Sequence, residues 1–165
     1  MAAALIKARI KTIVISDLAV FAFMRTVSKV ILCKKRRSAY RVVVMLLAPQ
    51  AIMADGGIIS KAGGLLLALA ANHQCIPFIV LAGMYKLTPE YSFEQDTFNE
   101  LIPPGKVFKT ADFENPDNIE IYVPKYNYIK PEFISLYITD YGEHTPAYIY
   151  RLFSEYYSTD SNIDF

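Results

Sequence analysis

Residues 54–89, ADGGIISKAGGLLLALAANHQCIPFIVLAGMYKLTP, decide how this chain folds. A paired-glycine turn (Asp55-Gly56-Gly57) comes first. A run rich in small residues (Ala62, Gly63, Gly64, Ala68, Ala70, Ala71) follows, then the apolar run FIVLAG behind Pro77, then the loop Lys86-Leu87-Thr88-Pro89. The small residues predict a helix with a smooth face that can lie close to a sheet. A glycine inside a helix costs about 1 kcal/mol against alanine, so Gly63 and Gly64 belong in the first turn. Pro77 belongs at a strand start, where a missing N–H costs least. A glycine turn feeding a helix and then a buried strand is the pattern of a parallel α/β layer.

Working outward, Thr12–Ser16 (TIVIS) is a β-branched run of strand length, and Ser16 or Asp17 can cap the segment after it. In LAVFAFMRTV, Leu18, Val20, Phe21, Met24 and Val27 recur at helical spacing, and KVIL (29–32) reads as a second short strand. A second strand-like run, RVVVMLL (41–47), follows across the basic linker KKRR (34–37). Downstream, residues 88–120 read as a long acidic, aromatic loop region and NIEIYVP (118–124) alternates like a strand. Pro131-Glu132 opens a short helix or turn into FISLYIT, a last buried strand or apolar layer. Thr145-Pro146 starts a final helix, AYIYRLFSEYY, with proline at its favoured first position. The expected architecture is one α/β domain spanning residues 1–165, a Rossmann-like parallel sheet flanked by helices.

Composition bounds the function. The chain is 165 residues, 53% hydrophobic and rich in Tyr and Phe, so it can bury a core. The apolar runs are too short or too interrupted to span a bilayer, which needs about 20 apolar residues. Two cysteines (Cys33, Cys75) and two histidines (His73, His144) exclude a disulfide framework and a His-rich metal site. With a start too charged for a signal peptide, a cytoplasmic protein is expected. Net charge near zero conceals an asymmetry: residues 1–61 carry +9 and residues 62–165 carry −8. The basic cluster without a nucleic-acid-binding fold reads as a solvated loop, and no direct nucleic-acid contact is expected.

Candidate site residues are few. Asp17 stands at the carboxyl end of an expected strand, the edge where α/β sheets place ligands. The glycines of Asp55-Gly56-Gly57 could turn N–H groups towards a phosphate and Lys61 could meet an anion, but the spacing matches neither the dinucleotide fingerprint nor a P-loop. A tight structural turn is the simpler reading. His73 reads as a surface residue and Cys75 as a small packed hydrophobe. No Ser–His–Asp or Cys–His arrangement is visible.

The wording of TIVISDLAVFAFM, KVIL, ADGGIISKAGG, LALAANHQCIPFIVLAGMYKLTPEY, VPKYNYIKPEFISLYIT and TPAYIYRLFSEYY resembles, in order and over nearly the whole chain, the regulatory subunits of eukaryotic translation initiation factor 2B, the beta type above all. The resemblance implies a Rossmann-like carboxyl-terminal domain used for assembly and no enzyme activity or cofactor of its own. Its partners would be the delta, gamma, epsilon and alpha sister subunits and translation initiation factor 2, whose phosphorylation the regulatory subunits sense. The aromatic residues Tyr126, Tyr128, Phe133, Tyr148, Tyr150, Phe153, Tyr156 and Tyr157 exceed what one small core needs and suit an interface.

The same superfamily contains sugar-phosphate isomerases such as methylthioribose-1-phosphate isomerase. Their pattern carries a catalytic Asp just before ADGG, where this chain has Gln50, and an amide cannot shuttle a proton as a carboxylate does. Asp17 survives in the matching SDLA motif. Asp17, Gln50, Asp55, Gly56, Gly57 and Lys61 are therefore expected to outline a vestigial sugar-phosphate pocket. Two departures from the family pattern stand out. Met1 falls where the family has already run through a helical region and a first strand, so a fragment lacking that strand is expected. Residues 33–47 interrupt KVIL-APQAIMADGG, as an in-frame intron, a gene-model error or a lineage-specific loop would. Of the two competing strand candidates, RVVVMLL is expected to enter the sheet, because leaving it outside would expose a large apolar run.

Overall fold

A computed structural model describes residues 2–25, 44–91, 99–106 and 120–156. The chain opens with α1 (Ala2–Lys7), a short 3-10 turn at Asp17–Ala19 and a helical stretch over residues 20–25 (α2). Among the described residues seven strands follow: β1 (Met45–Leu47), β2 (Ala51–Ile52), β3 (Ile58–Lys61), β4 (Phe78–Leu81), β5 (Tyr126–Ile129), β6 (Leu136–Thr139) and β7 (Gly142–His144). Helix α3 (Gly64–His73) lies between β3 and β4, and α4 (Pro146–Tyr156) follows β7.

The strands form two sheets. The larger runs β1-β4-β6-β7, with β1–β4 and β4–β6 parallel and only the final hairpin antiparallel. The expected parallel α/β layer is thus present. The smaller sheet, β2-β3-β5, is entirely antiparallel and was not anticipated. Its hairpin corrects the reading of ADGG: the glycine turn joins β2 to β3, and IISK is a strand standing between the turn and α3. Four residues of mixed polarity are too short a run for periodicity to reveal.

RVVVMLL does enter the sheet as far as it is described: Met45, Leu46 and Leu47 pair in parallel with Phe78, Ile79 and Val80. KVIL lies outside the described residues. TIVIS, expected as a strand, pairs with none of the described strands and leaves Ile13 and Val14 62% and 79% exposed. β-propensity without a partner to pack against does not make a strand. The described part of NIEIYVP, residues 120–124, likewise forms no strand. It contributes one bridge, Leu101 to Pro124, and the strand begins two residues later at Tyr126. The 3-10 turn Pro131–Phe133, β6 and α4 stand where the sequence placed them.

The core joins both sheets to the helices, with Ile52, Ile58 and Ile129 of the smaller sheet in the same cluster. Ala68, Ala70 and Ala71 of α3 are fully buried, as the small-residue face predicted, and join Phe78 and Val80 of β4, Tyr137 of β6 and Ile149 and Leu152 of α4. Val20 and Met24, four apart on α2, seal the same core, while Leu18 of the expected stripe stays 90% exposed.

Both short helix ends carry a strained residue. After α1, Arg9 N–H donates to Ile6 C=O and Ile10 N–H to Leu5 C=O. After α3, Cys75 N–H donates to Asn72 C=O and Ile76 N–H to Ala71 C=O. These paired bonds form the Schellman helix terminus, whose left-handed position favours glycine. Arg9 and Cys75 occupy it at φ +58° and +52°. Cys75 is exposed there, which corrects its reading as a packed hydrophobe. Replacing Cys75→Gly relieves the left-handed penalty and should raise stability by about 0.5–1 kcal/mol, read as a higher urea midpoint at unchanged m-value.

Candidate functional site

A cavity of about 270 Å³ opens where β1 ends and α3 begins. Its walls come from three separate parts of the chain: Asp17; Leu47, Ala48 and Gln50 at the end of β1; and the passage from β3 into α3, from Ser60 through Gly64 with Leu67. Gly63, the N-cap of α3, makes the meeting possible. Its φ of +98° is a conformation L side chains rarely adopt, and a Cβ there would sit 3.2 Å from an Asp17 carboxylate oxygen. Asn127 of β5 clamps the same residue, its Oδ1 accepting the Gly63 N–H at 3.0 Å. Ser60 is 1% exposed and its hydroxyl donates locally to Lys61 C=O at 3.3 Å.

Three of the six candidate residues therefore converge: Asp17, Gln50 and Lys61 line one cavity. Neither Ser16 nor Asp17 caps the following turn by its side chain as expected: Ser16, the N-cap, makes no side-chain cap bond, and Asp17 faces Gly63 instead. The other three candidates, Asp55, Gly56 and Gly57, do not line this cavity. They form the β2–β3 turn, and their polar groups are spent on holding it. Asp55 accepts the Gly57 N–H at 2.7 Å through one carboxylate oxygen and the Tyr128 hydroxyl through the other. Tyr137 donates its hydroxyl to Gly56 C=O at 2.6 Å.

Burial, and then the Asp55 carboxylate, push the Tyr128 phenol well above the ordinary tyrosine range. Tyr137 is shifted the same way, chiefly by its deep burial. Both phenols are therefore hydrogen-bond donors under physiological conditions.

The chemistry available in the cavity is limited. Its lining holds one carboxylate (Asp17), one ammonium (Lys61), one amide (Gln50) and one hydroxyl (Ser60), with no histidine or cysteine. Acid–base isomerisation needs a second group to complete the proton transfer. Such a lining can hold a polar ligand, with Asp17 and Lys61 as its titratable groups. Among the described residues no cluster of three His, Cys, Asp or Glu could hold a metal ion, and no helix is long and apolar enough to cross a membrane. Ser60 and Asn127 were missed by sequence reasoning, because nothing local marks a serine or asparagine that acts across strands.

Four of the eight aromatic residues expected at an interface pack in or against the core. Tyr128 is buried, and Phe133, Tyr148 and Phe153 pack against the central cluster, while Tyr150 is 58% exposed. Tyr157 and the Tyr156 side chain lie outside the described residues. The unsatisfied apolar surface is at the other end: Ile6, Ile10, Ile13, Val14 and Leu18 are 53–90% exposed.

A sequence profile of the initiation factor 2 subunit family matches residues 38–146. Translation initiation factor eIF2B subunit beta from Dictyostelium discoideum is 42% identical over 94% of the chain, and that from Schizosaccharomyces pombe 34% identical over 99%. The chain spans only 36% and 38% of the lengths of these two relatives. Ribose 1,5-bisphosphate isomerase from Pyrococcus furiosus is 30% identical over 54% of the chain and 28% of its own length. Among solved structures, eIF-2B subunit delta from A. fulgidus superposes with a TM-score of 0.66 at 23% identity, covering 88% of this chain and 38% of that one. The 5-methylthioribose 1-phosphate isomerase of Pyrococcus horikoshii OT3 superposes with a TM-score of 0.65 at 20% identity, covering 88% and 37%.

Proposed function

Because the chain belongs to the initiation factor 2 subunit family, we propose that it acts as a non-catalytic scaffold subunit in the guanine nucleotide exchange factor for translation initiation factor 2. In this reading it works in the cytoplasm, packs against alpha, delta, gamma and epsilon sister subunits, and contributes to recognition of initiation factor 2 and its phosphorylated form. The observation that supports the absence of catalysis is the cavity itself: Asp17 is its one carboxylate, and Gln50 stands where the isomerase pattern expects Asp. Asp17, Gln50 and Lys61 then form the remnant of a sugar-phosphate pocket. The exposed apolar surface from Ile6 to Leu18 is consistent with packing against other subunits.

A second reading, a sugar-phosphate isomerase of the methylthioribose-1-phosphate type, is favoured by the shared fold and by the likeness to ribose 1,5-bisphosphate isomerase. Co-expression with delta- and gamma-type subunits separates the two. Co-purification of a stable complex without turnover of ribose 1,5-bisphosphate or methylthioribose 1-phosphate is expected. A monomer that ignores those subunits and isomerises either sugar phosphate would reverse the assignment.

A further inference from the structure

Strand β5 ends the smaller sheet, with β3 on one side and no described strand on the other. An open edge of this kind invites pairing with other chains. On β5 one side chain occupies it. The Asn99 amide donates from Nδ2 to Tyr126 C=O at 2.9 Å, and its Oδ1 accepts the Tyr126 N–H at 3.0 Å. These are the two main-chain groups that a neighbouring antiparallel strand would take from a single residue.

The bonds around Asn99 extend the same pairing. Lys125 N–H donates to Glu100 C=O at 2.9 Å and Ile102 N–H to Val123 C=O at 2.9 Å, with the bridge between Leu101 and Pro124 between them. The Lys125 ammonium meets the Glu100 carboxylate and lies 5.0 Å from the centre of the Tyr126 ring. The pairing breaks where Pro124 has no N–H to give.

We infer that Asn99 is a latch: its side-chain amide substitutes for a neighbouring strand at Tyr126, and its release would open the outer edge of β5 as a local event, separate from unfolding of the core. The dominant contribution is the paired amide bonds. The Lys125–Glu100 pair is solvent-exposed and contributes little at physiological salt. The latch also bears on the cavity at one remove, because Asn127, next along β5, holds Gly63.

Hydrogen exchange followed residue by residue on the full chain tests this. Asn99→Leu keeps the size of the side chain and removes both bonds, so the Tyr126 and Lys125 amides should exchange about tenfold faster or more, with Ile58 and Val80 unchanged. Glu100→Gln, which spares every main-chain bond, should shift them less than threefold, roughly the effect of losing one exposed pair. If Asn99→Leu fails to fold, the wild-type chain in sub-denaturing urea supplies the answer. Tyr126 should then exchange through an opening of lower free energy and weaker urea dependence than Val80. Unchanged Tyr126 exchange in Asn99→Leu, or exchange of Tyr126 only with global unfolding, would overturn the latch.

Discussion

Replacing Gly56→Ala should destabilise the fold by about 3–4 kcal/mol, a large part of the 5–15 kcal/mol that holds a typical domain together. Two penalties combine at this position. Gly56 has φ +80°, where a Cβ costs about 1–2 kcal/mol. The added Cβ would also lie 2.6 Å from Pro146 O, a main-chain atom at the first residue of α4. A flexible side chain could swing aside at small cost, but a helix start cannot, and such overpacking typically costs about 1–3 kcal/mol. Relaxing the turn instead would pull Gly56 C=O from the Tyr137 hydroxyl that holds it. Gly105→Ala is the control, since a Cβ there meets nothing within 4 Å. Urea unfolding should show a strongly lowered midpoint for Gly56→Ala and almost none for Gly105→Ala. Equal midpoints would mean that α4 is not fixed against the β2–β3 turn.

Tyr137 is the other half of that contact and should have an effect of similar size. Its side chain is fully buried between the sheet and the helices, so Tyr137→Ala should cost about 3–5 kcal/mol through the cavity it leaves. Tyr137→Phe fills the space but leaves Gly56 C=O without its donor, for about 1–2 kcal/mol.

The hydroxyl also makes the fold sensitive to alkali. Burial raises the Tyr137 phenol above its ordinary value, and the nearby Asp55 and Tyr128 push it further in the same direction. Tyr128 is raised as well. A group raised in the folded state contributes stability that is fully present below its unfolded pKa and is lost as pH climbs beyond it. For tyrosine that threshold is about 10. The urea midpoint of the wild-type chain should therefore fall steeply from about pH 10 upward. Tyr128→Phe/Tyr137→Phe should start lower at pH 8 and fall less. A wild-type midpoint that declines no faster than that of the double variant would refute the role given to these phenols.

Much of the fold was readable because it rests on local chemistry. The small residues of α3, the unbroken apolar run of β4 behind Pro77, the apolar stretch that holds β6 and the proline that starts α4 are each legible in neighbouring residues. RVVVMLL was placed in the sheet on the physical ground that so apolar a run cannot stay in water. The unread parts share a different cause. TIVIS has the composition of a strand but finds no partner among the described strands. IISK and Gly142–His144 are strands only because Tyr126–Ile129 and Leu136–Thr139 lie alongside them. Pairing of this kind depends on what the chain brings near, which composition does not record.

The candidate site divides along the same line. The residue types present determine what chemistry is possible at all. Gln50 stands where the isomerase pattern expects an acid, histidines and cysteines are few, and the family could be recognised from the order of the motifs alone. Tertiary structure decided which candidates meet. Asp17, Gln50 and Lys61, separated by up to 44 positions in sequence, come together because Gly63 turns left-handed beneath Asp17 and Asn127 grips it from another strand. Asp55, Gly56 and Gly57, adjacent to one another in a motif that resembles a ligand loop, are committed to Tyr128 and Tyr137. A side chain's type is set by its codon, but whether its polar atoms are free for a ligand depends on neighbours that only folding supplies.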